Sequence, residues 1–231
     1  MINYLIGGKA MFRLVQALIV IAFLLGGCQM SNEELLPKDM NPADLPEGRA
    51  FEDEFTRSFL QSTEEIMPGY YPFLSMNGKY TMGFPREGLT SKIAYPSREN
   101  QESLSVTIWE ANSDIVGHMK VNYYGFLNPG FEESKLSTLE TIIENKLKFE
   151  QIQEEGQTLY VSFFQEKEVP DDFEESYGYA GYLQNNKGAE GIYLIYTSSC
   201  KANCEELKEA DLKQAYEWMK SVKFIPHDNH E

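Results

Sequence analysis

Apolar and polar positions along the chain change period several times, and each change marks a new element. The first run, Leu14 to Leu25, is almost continuously apolar, with Gln16 its one interruption. At 12 residues it is too short to cross a hydrocarbon core, which takes about 20. Farther on, Phe51, Phe55 and Phe59 recur every four residues, with Leu60 and Ile66 nearby. That spacing predicts an amphipathic helix ended by Pro68-Gly69. The period then falls to two. Tyr80, Met82 and Phe84 alternate with Lys79, Thr81 and Gly83, and Leu104, Val106 and Ile108 alternate with Ser105, Thr107 and Trp109. Both segments are predicted as half-buried strands. Further strands are expected around Lys92 to Tyr95 and Val116 to Tyr124, closed by the turn Asn128-Pro129-Gly130.

A helical period returns in Leu136, Leu139, Ile142, Ile143 and Leu147, where Ser137 and Glu140 have the spacing of a capping box and Glu155-Gly156 marks the end. A second strand group follows in TLYVSFFQE, YGYAGYLQ and GIYLIYTS, with Asn185-Asn186-Lys187-Gly188 as the hairpin turn between the last two. The closing helix carries Leu207, Leu212, Ala215, Tyr216, Met219 and Val222, and Asn203 with Glu206 is its expected N-terminal cap. Strand groups joined by hairpin-length turns and flanked by helices predict an α+β fold, a mainly antiparallel sheet with helices packed against it.

The short apolar run changes the picture of where the chain resides. Lys9 and Arg13 precede it, and Leu25-Gly26-Gly27-Cys28 follows it, so it reads as a secretory signal h-region. The sequence Leu25-Gly26-Gly27-Cys28 resembles the lipobox of bacterial lipoproteins. That resemblance implies cleavage between Gly27 and Cys28, a diacylglyceryl thioether on Cys28 and frequent acylation of its amine. The alternative is an N-terminal transmembrane anchor with an incidental cysteine, which the charged residues and prolines soon after Cys28 leave little room to build. Met11 offers a second start for the same leader.

Residues 1–27 are therefore expected to be a signal peptide. Residues 28–50 are acidic and hold Pro37, Pro42 and Pro46, which predicts a flexible tether. Residues 51–226 form one α+β domain, and 227–231 a disordered tail. The domain resembles, in architecture, the Mog1 and PsbP-like α/β/α sandwiches, whose last helix runs into a short segment matched here by Ser221-Val222-Lys223-Phe224. That group includes binding and assembly factors as well as lipoproteins, and the resemblance carries no functional residue with it.

Charge narrows the partners. The chain carries 20 basic and 36 acidic residues, a net −16. Residues 1–27 hold two bases and no acid, so the remainder carries 18 − 36 = −18. Such a surface repels phosphate backbones and anionic headgroups, which disfavours nucleic acid and electrostatic membrane docking. A lipid anchor would supply the attachment that charge does not.

Candidate chemistry is sparse. Cys200 and Cys204, in SSCKANCEE, are the cysteines left after lipidation. In an exported chain the pair predicts a short-loop disulfide; a redox centre is the sharper alternative, although the spacing is C-x-x-x-C. His227, Asp228, His230 and Glu231 form a cluster that suits a metal but sits at the extreme end of the chain, where a solvated tail is the expectation. Asp171, Asp172, Glu174 and Glu175 lack the alternation of a calcium loop and predict an exposed acidic loop. His118 is the histidine of the domain body, and no G-x-S-x-G or phosphate-cradling glycine loop occurs.

Fourteen Tyr and fourteen Phe are the unusual feature. Tyr177, Tyr179 and Tyr193 would line a binding face or, on the plainer account, fill the core. The expectation is thus a lipid-anchored extracytoplasmic envelope lipoprotein, without metal, cofactor or catalytic residues, acting as a binding or structural component toward an envelope protein or glycan. Its rival is an envelope enzyme, a carboxylate-based hydrolase or a thiol oxidoreductase through Cys200 and Cys204. An importer's solute receptor is disfavoured because one short domain lacks two lobes.

Overall fold

The computed structural model describes residues 35–226. The leader, Cys28 and the terminal His227 to Glu231 cluster lie outside the described residues. Eleven strands and four α-helices are described. The strands are β1 (Tyr70–Leu74), β2 (Tyr80–Pro85), β3 (Gly88–Leu89), β4 (Ser97–Arg98), β5 (Gln101–Trp109), β6 (Ile115–Tyr124), β7 (Glu150–Glu154), β8 (Gln157–Gln165), β9 (Glu175–Asn185), β10 (Gly191–Cys200) and β11 (Lys223–Phe224). The helices are α1 (Arg49–Glu52), α2 (Glu54–Arg57), α3 (Glu132–Ile143) and α4 (Cys204–Ser221).

The main sheet has the order β3-β5-β6-β10-β9-β8-β7, with β4 also on β5, and the small sheet the order β1-β2-β11. Every pairing is antiparallel. Because side chains alternate across a strand, the main sheet has two covered faces. On one, Leu104, Val106, Met119, Val121, Leu183 and Leu194 pack against Phe73, Tyr80 and Phe84 of the small sheet and Ala215, Trp218 and Met219 of α4. On the other, Phe164, Ala180, Tyr182, Tyr193 and Ile195 pack against Leu139 of α3. The fold is the expected α+β sandwich, with a layer on each side of the central sheet.

Local chemistry moves several boundaries. The Phe51 to Ile66 segment is not one helix: α1 and α2 are single turns separated by Asp53, whose backbone is extended and whose Oδ1 accepts from the Thr56 N–H at 2.7 Å. The phenylalanine period still marks a face, since Phe51 is buried and Phe55 and Phe59 are partly so. Lys92 to Ala94 form a turn instead of a strand, and the regular pairing with β5 resumes only at Ser97 after Pro96. A proline cannot donate to a ladder. β7 is a strand that the pattern missed.

The tether ends earlier than composition predicts. Short 3-10 turns at Pro37–Asp39 and Pro42–Asp44 precede α1, Pro37 and Ala50 are buried, and the Ala50 N–H donates to the Arg86 carbonyl at 2.9 Å.

α3 begins at Glu132, five residues before the Ser137 expected to cap it, and ends at Ile143 because Glu144 turns left-handed. Glu140 closes the helix instead of opening it: its Oε1 accepts from the Leu147 N–H at 3.1 Å and its Oε2 from Lys146 at 2.7 Å. Asn203 does precede α4, yet its side chain makes no cap and donates to Asp114 Oδ2 at 2.9 Å.

Candidate functional site

The end of the main sheet where β10 meets α4 carries a cleft of about 300 Å³. Three elements build it. α4 contributes Leu207, Ala210, Asp211 and Gln214, which are spaced i, i+3, i+4 and i+7 and so share one face of the helix. The central strands contribute Ile108, Gly117 and Tyr196, and the small sheet contributes Tyr70, Pro85 and Arg86. Glu87, Glu110, Ser113 and Ile115 complete the rim. Gly117 lets Ile108 and Tyr196 pack closely over the strand: a Cβ there would stand 3.2 Å from Ile108 and 3.4 Å from the Tyr196 hydroxyl.

Asp211 is the chemical centre of the cleft. Burial raises its carboxyl above the ordinary value, and the Ser198 and Tyr177 hydroxyls offset part of that rise. Asp211 Oδ2, Ser198 Oγ and Tyr177 Oη are all buried, and the two hydroxyls are the polar groups beside the carboxyl. Tyr70 and Tyr196 meet through their hydroxyls, and burial raises both phenols well above their usual value. Both are therefore protonated near neutral pH, and serve as hydrogen-bonding groups and ring faces.

A disulfide fixes the helix that carries Asp211. Cys200 and Cys204 are joined as expected, with Cα atoms 5.8 Å apart, and Tyr177 packs against the bridge. Lys208, one turn into α4, pairs with Glu175 and lies over the Tyr177 ring at 4.7 Å. Glu174 and Glu175 of the acidic run thus lie at the start of β9, beside the disulfide end of α4, while Asp171 and Asp172 remain exposed.

A family model described as putative lipoprotein YvcA, and designated YvcA_Mog1p, matches residues 46–223. The chain belongs to the YvcA lipoprotein family. The match runs from just before α1 to the first residue of β11, so it spans the domain and every wall of the cleft. One relative, described as putative lipoprotein YvcA of Bacillus subtilis (strain 168), is 29% identical over 200 residues, covering 77% of this chain and 80% of its own length. The link to Mog1-like domains drawn from architecture agrees with the designation of the YvcA family.

Other expectations distribute differently. Tyr177 is buried beside the disulfide and Tyr179 is half-buried against Tyr216 of α4, whereas Tyr193 points to the opposite face, against Tyr182. These three do not form one binding surface; they are core residues on two faces. His118 is exposed on the α3 side of the sheet, its imidazole lowered by partial burial and by Lys120. Among the described residues no group of three or more His, Cys, Asp or Glu is placed to hold a metal, and no helix is long and apolar enough to cross a membrane.

Asp211 is not legible in the sequence, because one acid among 36 carries no signal by itself. An isolated glycine inside an alternating strand was the available clue, at Gly117.

Proposed function

We propose that this chain is an extracytoplasmic lipoprotein of the bacterial cell envelope, attached to the membrane through acyl groups on Cys28, whose domain binds a ligand and does not catalyse a reaction. Family membership and the order of basic start, apolar run and Gly27-Cys28 support the anchor. Two or three acyl chains hold a protein stably where one gives marginal binding, each buried methylene contributing about 0.8 kcal/mol. The net charge of −18 keeps the domain itself off anionic headgroups, so the lipid is the attachment and the domain faces the envelope space.

The observation that carries the binding reading is the lining of the Asp211 cleft. Aliphatic and ring surface from Ile108, Ile115, Leu207, Tyr70 and Tyr196 alternates there with Arg86, Glu87, Glu110 and the largely buried Asp211, so the cleft offers both apolar contact and polar groups that fix orientation. General base catalysis needs a base within hydrogen-bond reach of its substrate proton. The two phenols here stay protonated and His118 lies on the other face of the sheet, which leaves the cleft carboxyls as the groups that could move a proton and intact recovery of the ligand as the deciding readout.

The test is an NMR titration of the membrane-extracted full chain with soluble cell-wall glycopeptide fragments. Saturable shifts of the Gly69, Gly117 and Gln214 amides, with the fragments recovered intact, are expected. Cleavage of the fragments, or shifts confined to residues away from the cleft, would count against the proposal.

A further inference from the structure

The charges around the cleft are unbalanced. One guanidinium, Arg86, stands against the carboxyls of Glu87, Glu110 and Asp211, and Arg86 is already engaged by Glu87 at 3.2 Å. The next cation, Lys208, is held by Glu175. Asp211 consequently lines the cleft with no protein cation of its own, and its polar neighbours are the neutral Ser198 and Tyr177 hydroxyls. A buried carboxylate oxygen is costly to leave unpaired, whereas a charge-assisted hydrogen bond to it is among the stronger polar contacts.

The cleft also carries apolar side chains. Ile108, Ile115 and Leu207 line the cleft together with Gly117, and the Tyr70 and Tyr196 side chains close the wall. We infer that the cleft takes a primary ammonium on a short aliphatic chain, with the nitrogen donating to Asp211 and the alkyl part lying over Gly117 and the aliphatic floor. The inference rests on the cleft being the ligand seat proposed above, and specifies what sits in it.

The chemistry separates this ligand from others. An ammonium brings three donors in a compact point charge, and phenol rings attract a cation placed over their faces. An anion would meet three carboxyls against one guanidinium. A calcium ion takes six to eight oxygen ligands, and the described residues here do not cluster to supply them. A neutral alcohol would fill the floor but would bring no charge to Asp211.

The experiment compares n-butylammonium, 1-butanol and butyrate, each titrated into the isotopically labelled full chain at matched ionic strength. Butylammonium should give saturable shifts at Gly69, Gly117 and Gln214 with an affinity ~10-fold or more above that of butanol, about the worth of one charge-assisted hydrogen bond. Asp211→Asn, which keeps the shape of the side chain, should lose that preference while the rest of the spectrum is unchanged. Should Asp211→Asn fail to fold, Gly117→Ala serves instead: it keeps the carboxyl, pushes Ile108 and Tyr196 toward the cleft and should weaken butylammonium. Equal binding of butanol or butyrate, or undiminished butylammonium binding by Asp211→Asn, would overturn the ammonium assignment and leave the cleft as a ligand seat. If none of the three probes moves those amides, both readings fall.

Discussion

Cys200 and Cys204 join the last residue of β10 to the first residue of α4. The bridge therefore sets where the helix begins relative to the sheet, and Asp211 lies two turns farther along the same helix. Closing a five-residue loop restricts the unfolded chain modestly, by about 2 kcal/mol in the chain-entropy account. Reduction, or the paired Cys200→Ala and Cys204→Ala change, should lower the melting temperature by roughly 4–8 °C for a domain of this size. Thermal circular dichroism with and without reductant checks this; an unchanged midpoint would show that packing alone holds the helix start.

Asp211 gives the protein a pH signature. Its folded pKa lies above the ordinary value of 3.8 because burial disfavours the charge, so the folded state holds its proton more tightly than the unfolded chain does. The sign follows: the charge penalty is absent below pH 3.8 and grows as pH rises through the folded pKa. Asp211→Asn should accordingly stabilise the domain at pH 7, and the advantage should vanish toward pH 3.8. Urea unfolding of both proteins across that window measures it. An advantage independent of pH would assign the effect to packing.

Lys135 should behave as a structural clamp. It is 7% exposed, and its Nζ donates to Gln184 Oε1 at 2.8 Å, to the Leu127 carbonyl at 3.4 Å and to the Asn128 carbonyl, while lying 5.3 Å from the centre of the Tyr182 ring. Burial lowers its pKa, and Glu132 partly opposes that shift. Lys135→Ala removes the stem and leaves buried acceptors unpaired, so a loss of about 3 kcal/mol is expected; Lys135→Met keeps the stem and should lose about half as much. Hydrogen exchange should quicken in α3 and the turn at Asn128 in both variants, and unaltered exchange would deny the clamp its role.

The sequence and the structure agree where burial is one-sided. β2, β5, β6 and β8 to β10 read correctly because alternate residues meet the core, as Leu104, Val106 and Ile108 do. β7 escaped notice because Glu150, Gln151, Gln153 and Glu154 surround a single half-buried Ile152 on an edge strand. The first helix is broken where the pattern predicts continuity, because a period of four describes a face, whereas Asp53 decides continuity by capping the turn that follows it. Ser137 and Glu140 have capping-box spacing, but that spacing also occurs inside a helix, and only the left-handed Glu144 shows which end Glu140 serves. The disulfide is legible from the closeness of Cys200 and Cys204 in the sequence. The cleft is not, because Tyr70, Gly117, Tyr196 and Asp211 come together only through tertiary packing of β1, β6, β10 and α4.

The proposed anchor has one direct test. Intact-protein and peptide mass spectrometry of the chain extracted from membranes should find residues 1–27 absent and Cys28 N-terminal, carrying the mass of a diacylglyceryl group and, where the amine is modified, a further acyl chain. Cys28→Ala should leave the chain unprocessed or release it from the membrane fraction. A membrane-bound wild-type chain that retains residues 1–27 with an unmodified Cys28 would contradict the lipoprotein account.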